Sequence, residues 1–341
     1  MITSSDLEKF DPSGMHKIYD QWPEMAKNAY FTNLPLTSFS DIDHIVIAGM
    51  GGSGAIGDLF SSILAKNDIH VTLVKGYLLP KTVDVNTLVI TISVSGNTVE
   101  TLNVLKIAKN LNCNLIAFSS GGKMQEFCIQ NKIKHYVIKK THSPRSSFIT
   151  YIYSLLKILR PILPITEFDV MESIEELEKI QKLINSGNIT ETNPSLVLSK
   201  WIQNVPIIYY PYGLQAVAIR FKSSLHENTK SHAIIEDVIE SSHNGIIAWE
   251  TPSSFQPILI QGPDDYFKTK ERWQILKKYF DENNIKYYDV NSVRGNILSK
   301  LIELIYRLDY VTIYKAISSE IDPSTIKSID FIKRHLTPNL E

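Results

Sequence analysis

Cysteine is almost absent: Cys113 and Cys128 are the only two in 341 residues. Two thiols build neither a disulfide framework nor, by themselves, a zinc site, so reduced structural thiols and a cytoplasmic location are the expectation. An excess of one charge is also missing, since 35 Lys and Arg face 36 Asp and Glu for a net charge of −1. That removes the basic footprint of a nucleic-acid-binding protein. No apolar run approaches the roughly 18 residues that a membrane span needs. The stretch Met1 to Asp11 carries acids early and has no apolar core of a secretory signal. The nine histidines show no His-x-x-x-His spacing, and no metal and no cofactor is expected.

What is present is an ordinary globular composition, 43% hydrophobic and 21% charged, on a chain long enough for two cores. Residues 1–40 read as a helical lead-in, with Tyr19, Trp22, Met25, Ala26 and Tyr30 on one face and Pro23 interrupting it. Apolar strands then alternate with helices. Strands are expected at Ile45–Ala48, Val71–Val74, Leu88–Ser93, Leu115–Phe118 and Tyr136–Ile138. Continuous apolar strands separated by helices indicate a parallel sheet covered on both faces. Pro161 to Phe168 holds two prolines and is read as the domain boundary. A second β-α series follows, with strands at Ile207–Tyr210, Ile258–Ile260 and Tyr287–Val290 and a long apolar helix over 295–317. A last helix is expected from Asp322-Pro323 to Leu336, because Pro suits the first helical position. The fold class is α/β, with two domains, 1–163 and 164–341, each a parallel sheet flanked by helices.

Two stretches carry chemistry. In the first, the apolar run Ile45–Ala48 ends in Gly49-Met50-Gly51-Gly52-Ser53-Gly54 and opens an apolar helical pattern. Glycines let backbone approach an anion closely, and a helix start offers unpaired N–H groups. Gly49-x-Gly51-x-x-Gly54 also fits the dinucleotide fingerprint. That motif wants an acid at the end of the second strand, where this chain has Lys75-Gly76. NAD is therefore disfavoured, while an NADP oxidoreductase stays open. The second stretch is Ser93-Val94-Ser95-Gly96-Asn97-Thr98, followed by Glu100-Thr101, at the end of the third strand. A capping box would need one hydroxyl. Three beside a Gly/Ser loop favour a phosphomonoester, at the strand ends where open α/β sheets bind ligands.

Together these stretches resemble the sugar isomerase (SIS) phosphosugar-binding fold. Later segments narrow the likeness. Pro144-Arg145-Ser146-Ser147-Phe148, Arg220-Phe221-Lys222 leading to Glu227-Asn228-Thr229-Lys230, Ser242-His243-Asn244 with Trp249, and Asp322-Pro323 with Ile332-Lys333 occur in the order seen in the bifunctional phosphoglucose/phosphomannose isomerase family. Departures from the family pattern are Val94 for an aromatic, His226 for an Asn, and Gly245 for a Glu. The resemblance implies two SIS-type, flavodoxin-like domains and an aldose–ketose isomerase acting on hexose 6-phosphates. It implies phosphate binding by Gly51, Gly52, Ser53, Ser93, Ser95 and Thr98. Glu227 would move the proton between C1 and C2, a task suited to a carboxylate. His243 would open the sugar ring, an imidazole being able to give and take a proton near neutral pH. Lys333 resembles a second ring-opening residue. Arg145, permanently charged, would steady the enediolate oxygen. In the family the His comes from the neighbouring subunit, which implies a homodimer with shared sites.

Each residue also has a bland reading: Glu227 and Lys333 as solvated surface charges, His243 as a turn histidine, Arg145 as a salt bridge at a helix start, where a cation is mildly unfavourable. Besides the NADP oxidoreductase, two other functions stay open. One is a sugar-phosphate sensor without catalysis, which needs the phosphate loops alone. The other is another phosphosugar isomerase of the same superfamily.

Overall fold

Apolar strands and the helices between them form two parallel sheets. The computed structural model describes residues 2–336 apart from Leu36 and Ser40. The chain opens with helices α1 (Ser4–Phe10), α2 (Met15–Asp20) and α3 (Trp22–Phe31). The Thr3 hydroxyl and the Asp6 carboxylate cap α1 reciprocally. The lead-in breaks at Gln21, between α2 and α3, and Pro23 falls in the first turn of α3, where its missing N–H has no partner to lose.

The first sheet follows, with β1 (His44–Ala48), α4 (Gly52–Leu64), β2 (His70–Val74), β3 (Thr87–Ser93), α5 (Val99–Lys109), β4 (Asn114–Ser119), α6 (Gly122–Gln130), β5 (Lys134–Val137) and α7 (Phe148–Leu159). Strand order is β2-β1-β3-β4-β5, all parallel. Every residue of β1 and β3 is buried. That is why neither shows the strict apolar–polar alternation of a strand with one wet face. The order reverses between β1 and β3, so the turns leaving these two strands stand side by side at the switch point.

The second series comprises α8 (Glu167–Ile184), α9 (Pro194–Trp201), β6 (Pro206–Tyr210), α10 (Gln215–Ser224), β7 (Ile234–Asp237), α11 (Val238–Ser241), β8 (Gln256–Gln261), α12 (Phe267–Glu282), β9 (Tyr288–Asn291), α13 (Ile297–Ser318) and α14 (Lys327–His335). Its sheet runs β7-β6-β8-β9, again all parallel. Helix α13 is the core element: Leu301, Ile302, Leu304, Ile305, Leu308, Val311 and Ile313 are fully enclosed. The expected α/β class with two parallel sheets holds. Strand β7, short and at the edge with no fully buried residue, was not expected from its sequence.

The chain divides into two compact units that are not contiguous, Met1–Asp20 with Phe168–Thr325, and Gln21–Glu167 with Ile326–Glu341. Hence α1 and α2 group with the second sheet, and α14 with the first. Hydrogen bonds explain the first exchange: Tyr306 donates to Tyr19 O at 2.6 Å and Tyr310 to His16 O at 3.2 Å. The last helix starts five residues later than Asp322. Asp322 accepts from Ser324 N at 2.7 Å, and this side-chain turn holds 322–325 out of the helix.

Candidate active site

In the first-sheet unit, the β1 turn and the β3 turn are bonded together. The Ser53 hydroxyl, in the first turn of α4, accepts from Val94 N at 3.2 Å. Ser93 donates to Thr98 Oγ1 at 2.9 Å, and Ser95 accepts from Asn97 N at 3.2 Å. Ser53 and Ser93 are buried, whereas Ser95 is exposed. Neither α4 nor α5 carries a side-chain cap: Gly51 has no side chain to offer, and Thr98 makes no capping bond. Two adjacent helix starts of positive potential are thus left without a side-chain cap.

Glycine is required at Gly96, and Gly52 marks a second close approach of backbone. A Cβ on Gly96, whose φ is +69°, would lie 1.8 Å from Gly121 O. A Cβ on Gly52 would lie 3.4 Å from the backbone of Pro144 and Arg145. So the 143–147 segment packs directly on the first turn of α4. That segment is itself braced: Ser146 and Ser147 donate to Thr141 O at 2.9 Å each, and Trp22 Nε1 donates to Ser146 O at 3.1 Å. Arg145 is 4% exposed. The structure therefore brings together Gly51, Gly52, Ser53, Ser93, Ser95, Thr98 and the Arg145 backbone. Lys75, the residue that kept NADP open, is engaged by Asp58 at 2.6 and 2.7 Å. Its amine is committed beneath the loop, which weakens the oxidoreductase reading.

In the second-sheet unit, Glu227 sits on a feature that periodicity does not reveal. Helix α10 passes into a π turn over Leu225–Thr229, closed by Lys230 N bonded to Leu225 O, with Lys230 in the left-handed region at φ 58°. Such turns are rare and concentrate at functional sites. Behind the turn lies a buried ion pair. Asp309 of α13 receives Arg220 Nη2 at 2.6 Å and Arg220 Nε at 3.1 Å, Ser224 Oγ at 2.6 Å and Tyr19 OH at 3.0 Å. Burial opposes the Arg220 charge, but Asp309 outweighs it and raises the guanidinium pKa; the Glu227 charge adds to this. Lys230 Nζ donates to Glu227 O at 2.7 Å and to Asp322 O at 3.1 Å. His226 is held below the ordinary imidazole range, first by burial and then by Lys222.

His243 is exposed at the end of α11, its N–H bonded to Glu240 O at 2.9 Å. Lys333 is exposed on α14. Among the described residues, no group of three or more His, Cys, Asp or Glu side chains is placed to hold a metal ion, and no helix is long and apolar enough to cross a membrane. Sequence reasoning missed Asp309, Ser224, Asn228 and Thr312. The available signal was an acid, Asp309, inside the apolar run of α13.

Comparison with known proteins decides the family. Residues 38–157 match the SIS domain, and residues 191–336 match the bacterial phospho-glucose isomerase C-terminal SIS domain. A bifunctional phosphoglucose/phosphomannose isomerase of Caldicellulosiruptor bescii is 32% identical, over 92% of this chain and 96% of its own. The chain belongs to the bifunctional phosphoglucose/phosphomannose isomerase family. It is a sugar-phosphate isomerase. A second isomerase of the same name, from Aquifex aeolicus, is 27% identical over 93% of this chain and 94% of its own. A hypothetical protein of Thermus thermophilus superposes with a TM-score of 0.70 at 13% identity, over 96% of this chain and 88% of its own, and bears on the fold alone.

Proposed function

We propose that this isomerase interconverts glucose 6-phosphate and mannose 6-phosphate with fructose 6-phosphate through a cis-enediolate. The observation that carries the reading is the pair of uncapped helix starts whose turns are joined by the Ser53–Val94 bond. This suits a dianionic phosphate better than a structural cap. Backbone N–H groups at Gly51 and Gly52 and the hydroxyls of Ser53, Ser93, Ser95 and Thr98 hold the phosphate. Arg145 supplies fixed positive charge for the oxygen that becomes negative in the enediolate.

Glu227 takes the proton from C2 of the open-chain aldose and returns it to C1. The hydroxyl proton on O2 leaves as O1 gains one, so the ketose differs from the aldose only in where two hydrogens sit. Before this step His243 and Lys333 assist ring opening by passing a proton between the ring oxygen and the anomeric hydroxyl. His243 acts in the partner's site of a homodimer. Acting on both C2 epimers requires that neither face of C2 be held through its hydroxyl alone. Hexose phosphates and the two free thiols, Cys113 and Cys128, suit a cytoplasmic enzyme.

The test is a coupled assay for fructose 6-phosphate with each aldose phosphate in turn, on protein shown by thermal unfolding to be folded. Turnover of both is expected. Absence of turnover with either rejects the proposal, and hexose-phosphate thermal stabilisation without turnover would favour the sensor.

A further inference from the structure

A glutamate that shuttles a proton between adjacent carbons has to be aimed, and Glu227 lies on a backbone turn that does not aim itself. The π turn spans Leu225–Thr229. A π turn carries one residue more per hydrogen-bonded ring than the helix that leads into it, and is seldom stable without outside support. Support comes from one turn of α13, on both sides of Glu227. Before it, Ser224 Oγ donates to Asp309 Oδ1 at 2.6 Å. After it, Asn228 Nδ2 donates to Thr312 Oγ1 at 2.8 Å. Thr312 in turn donates to Asp309 O at 2.7 Å. Its single hydroxyl proton is thereby used, so its oxygen can only accept, and this fixes which end of the Asn228 amide faces it.

The arrangement leaves a buried acceptor unsatisfied. Asn228 is 0% exposed, and no described residue donates to its Oδ1. Such a group costs about 1–3 kcal/mol. An apolar residue would avoid that cost and still fill the space. A retained orphan next to a reactive carboxylate is the kind of local strain that a functional constraint explains.

We propose that Asn228, Thr312 and Asp309 are positioning residues that clamp the π turn to α13 on either side of Glu227 and so set the direction of its carboxylate. The proposal rests on Glu227 being the proton-transfer group of the isomerase reading. Release of the clamp lets the turn close toward an ordinary helical turn, which displaces the carboxylate while leaving the phosphate-binding turns of the first-sheet unit untouched. A misplacement of about 1 Å at a reacting group costs on the order of 10²-fold in rate.

The experiment compares wild-type protein with Thr312→Val and Thr312→Ser, measuring kcat and KM for fructose 6-phosphate together with thermal unfolding. Valine keeps the shape and removes the acceptor; serine keeps the hydroxyl. The expected result is kcat lowered by roughly 10- to 100-fold in Thr312→Val at near-constant KM, and kcat restored in Thr312→Ser. If Thr312→Val does not unfold cooperatively, Ser224→Ala is read by the same criterion. An active wild type with undiminished kcat in the valine variant overturns the clamp alone, as does a loss confined to KM. A folded wild type without turnover overturns the clamp and the isomerase reading together.

Discussion

The Gly96→Ala variant tests the placement of the β3 turn by geometry alone. Alanine at this position must adopt φ +69° and place its methyl 1.8 Å from Gly121 O. The left-handed conformation by itself costs about 1–3 kcal/mol. Relief of the overlap needs more, since ordinary contact begins at 3.4 Å and the two backbones must part by the difference between 3.4 and 1.8 Å, about 1.6 Å. The three nearest atoms all belong to the backbone of Gly121 and Gly122, so no flexible side chain can swing aside. The β3 turn therefore moves as a piece, taking Ser95 and Thr98 with it. A shift above 1 Å at a positioning group costs on the order of 10²-fold. The expected outcome is kcat/KM down by about that factor and a melting temperature lower by roughly 2–4 °C for each kcal/mol lost. Gly76→Ala is the control, because its added methyl meets nothing within 4 Å. Steady-state kinetics and a thermal scan with and without fructose 6-phosphate read the result. A Gly96→Ala protein that melts like wild type, and gains the same stabilisation from ligand, refutes the reasoning.

Three further outcomes follow from other parts of the molecule. Glu227→Gln should reduce kcat by about 10²–10⁴-fold, the span of general acid–base catalysis, with the phosphate still bound; wild-type turnover in that variant removes its assigned role. Asp309→Ala should destabilise by about 3–5 kcal/mol, because it strands the buried Arg220 charge. Denaturant titration should find Asp309→Met with Arg220→Met closer to wild type than Asp309→Ala, and equal losses would contradict the ion-pair account. His44 is held below its ordinary value by burial and then by the facing His70. Its folded form resists protonation, so its contribution is complete above the unfolded value of 6.5 and is lost as pH falls below that toward the depressed folded value. His44→Gln should flatten stability between about pH 7 and 5, and an unchanged slope would exclude His44 as its source.

How much of this was legible depended on where each residue's partner lies. The first sheet was readable because its signals are local. β1 and β3 are buried throughout and mostly apolar, and each is followed within six residues by the turn that gives it a purpose. The Ser53–Val94 bond adds what spacing could not, that the two turns form one surface. Strand β7 was missed for the opposite reason. Ile234–Asp237 holds two acids at a sheet edge with no fully buried position, and nothing in four residues separates it from a loop. The last helix was placed early because Asp-Pro suits a helix start as well as a turn; the Asp322–Ser324 bond, invisible in the sequence, selects the turn.

The π turn marks the limit of local reading. Over Leu225–Thr229 the sequence has no glycine and no proline, and its weak helix formers His226, Asn228 and Thr229 do not by themselves call for a widened turn. The cause lies about 85 residues away on α13, where Asp309 presents a carboxylate to Ser224 and Thr312 presents a hydroxyl to Asn228. An acid in the middle of a buried helix is itself unfavourable. It persists here because four donors, two from Arg220 and one each from Ser224 and Tyr19, converge on it. A helix that could have been wholly apolar carries a charge, that charge fixes the residues before Glu227, and the hydroxyl one turn on fixes the residue after it. Sequence alone proposed the carboxylate; the groups that brace the turn beneath it are written in a different helix.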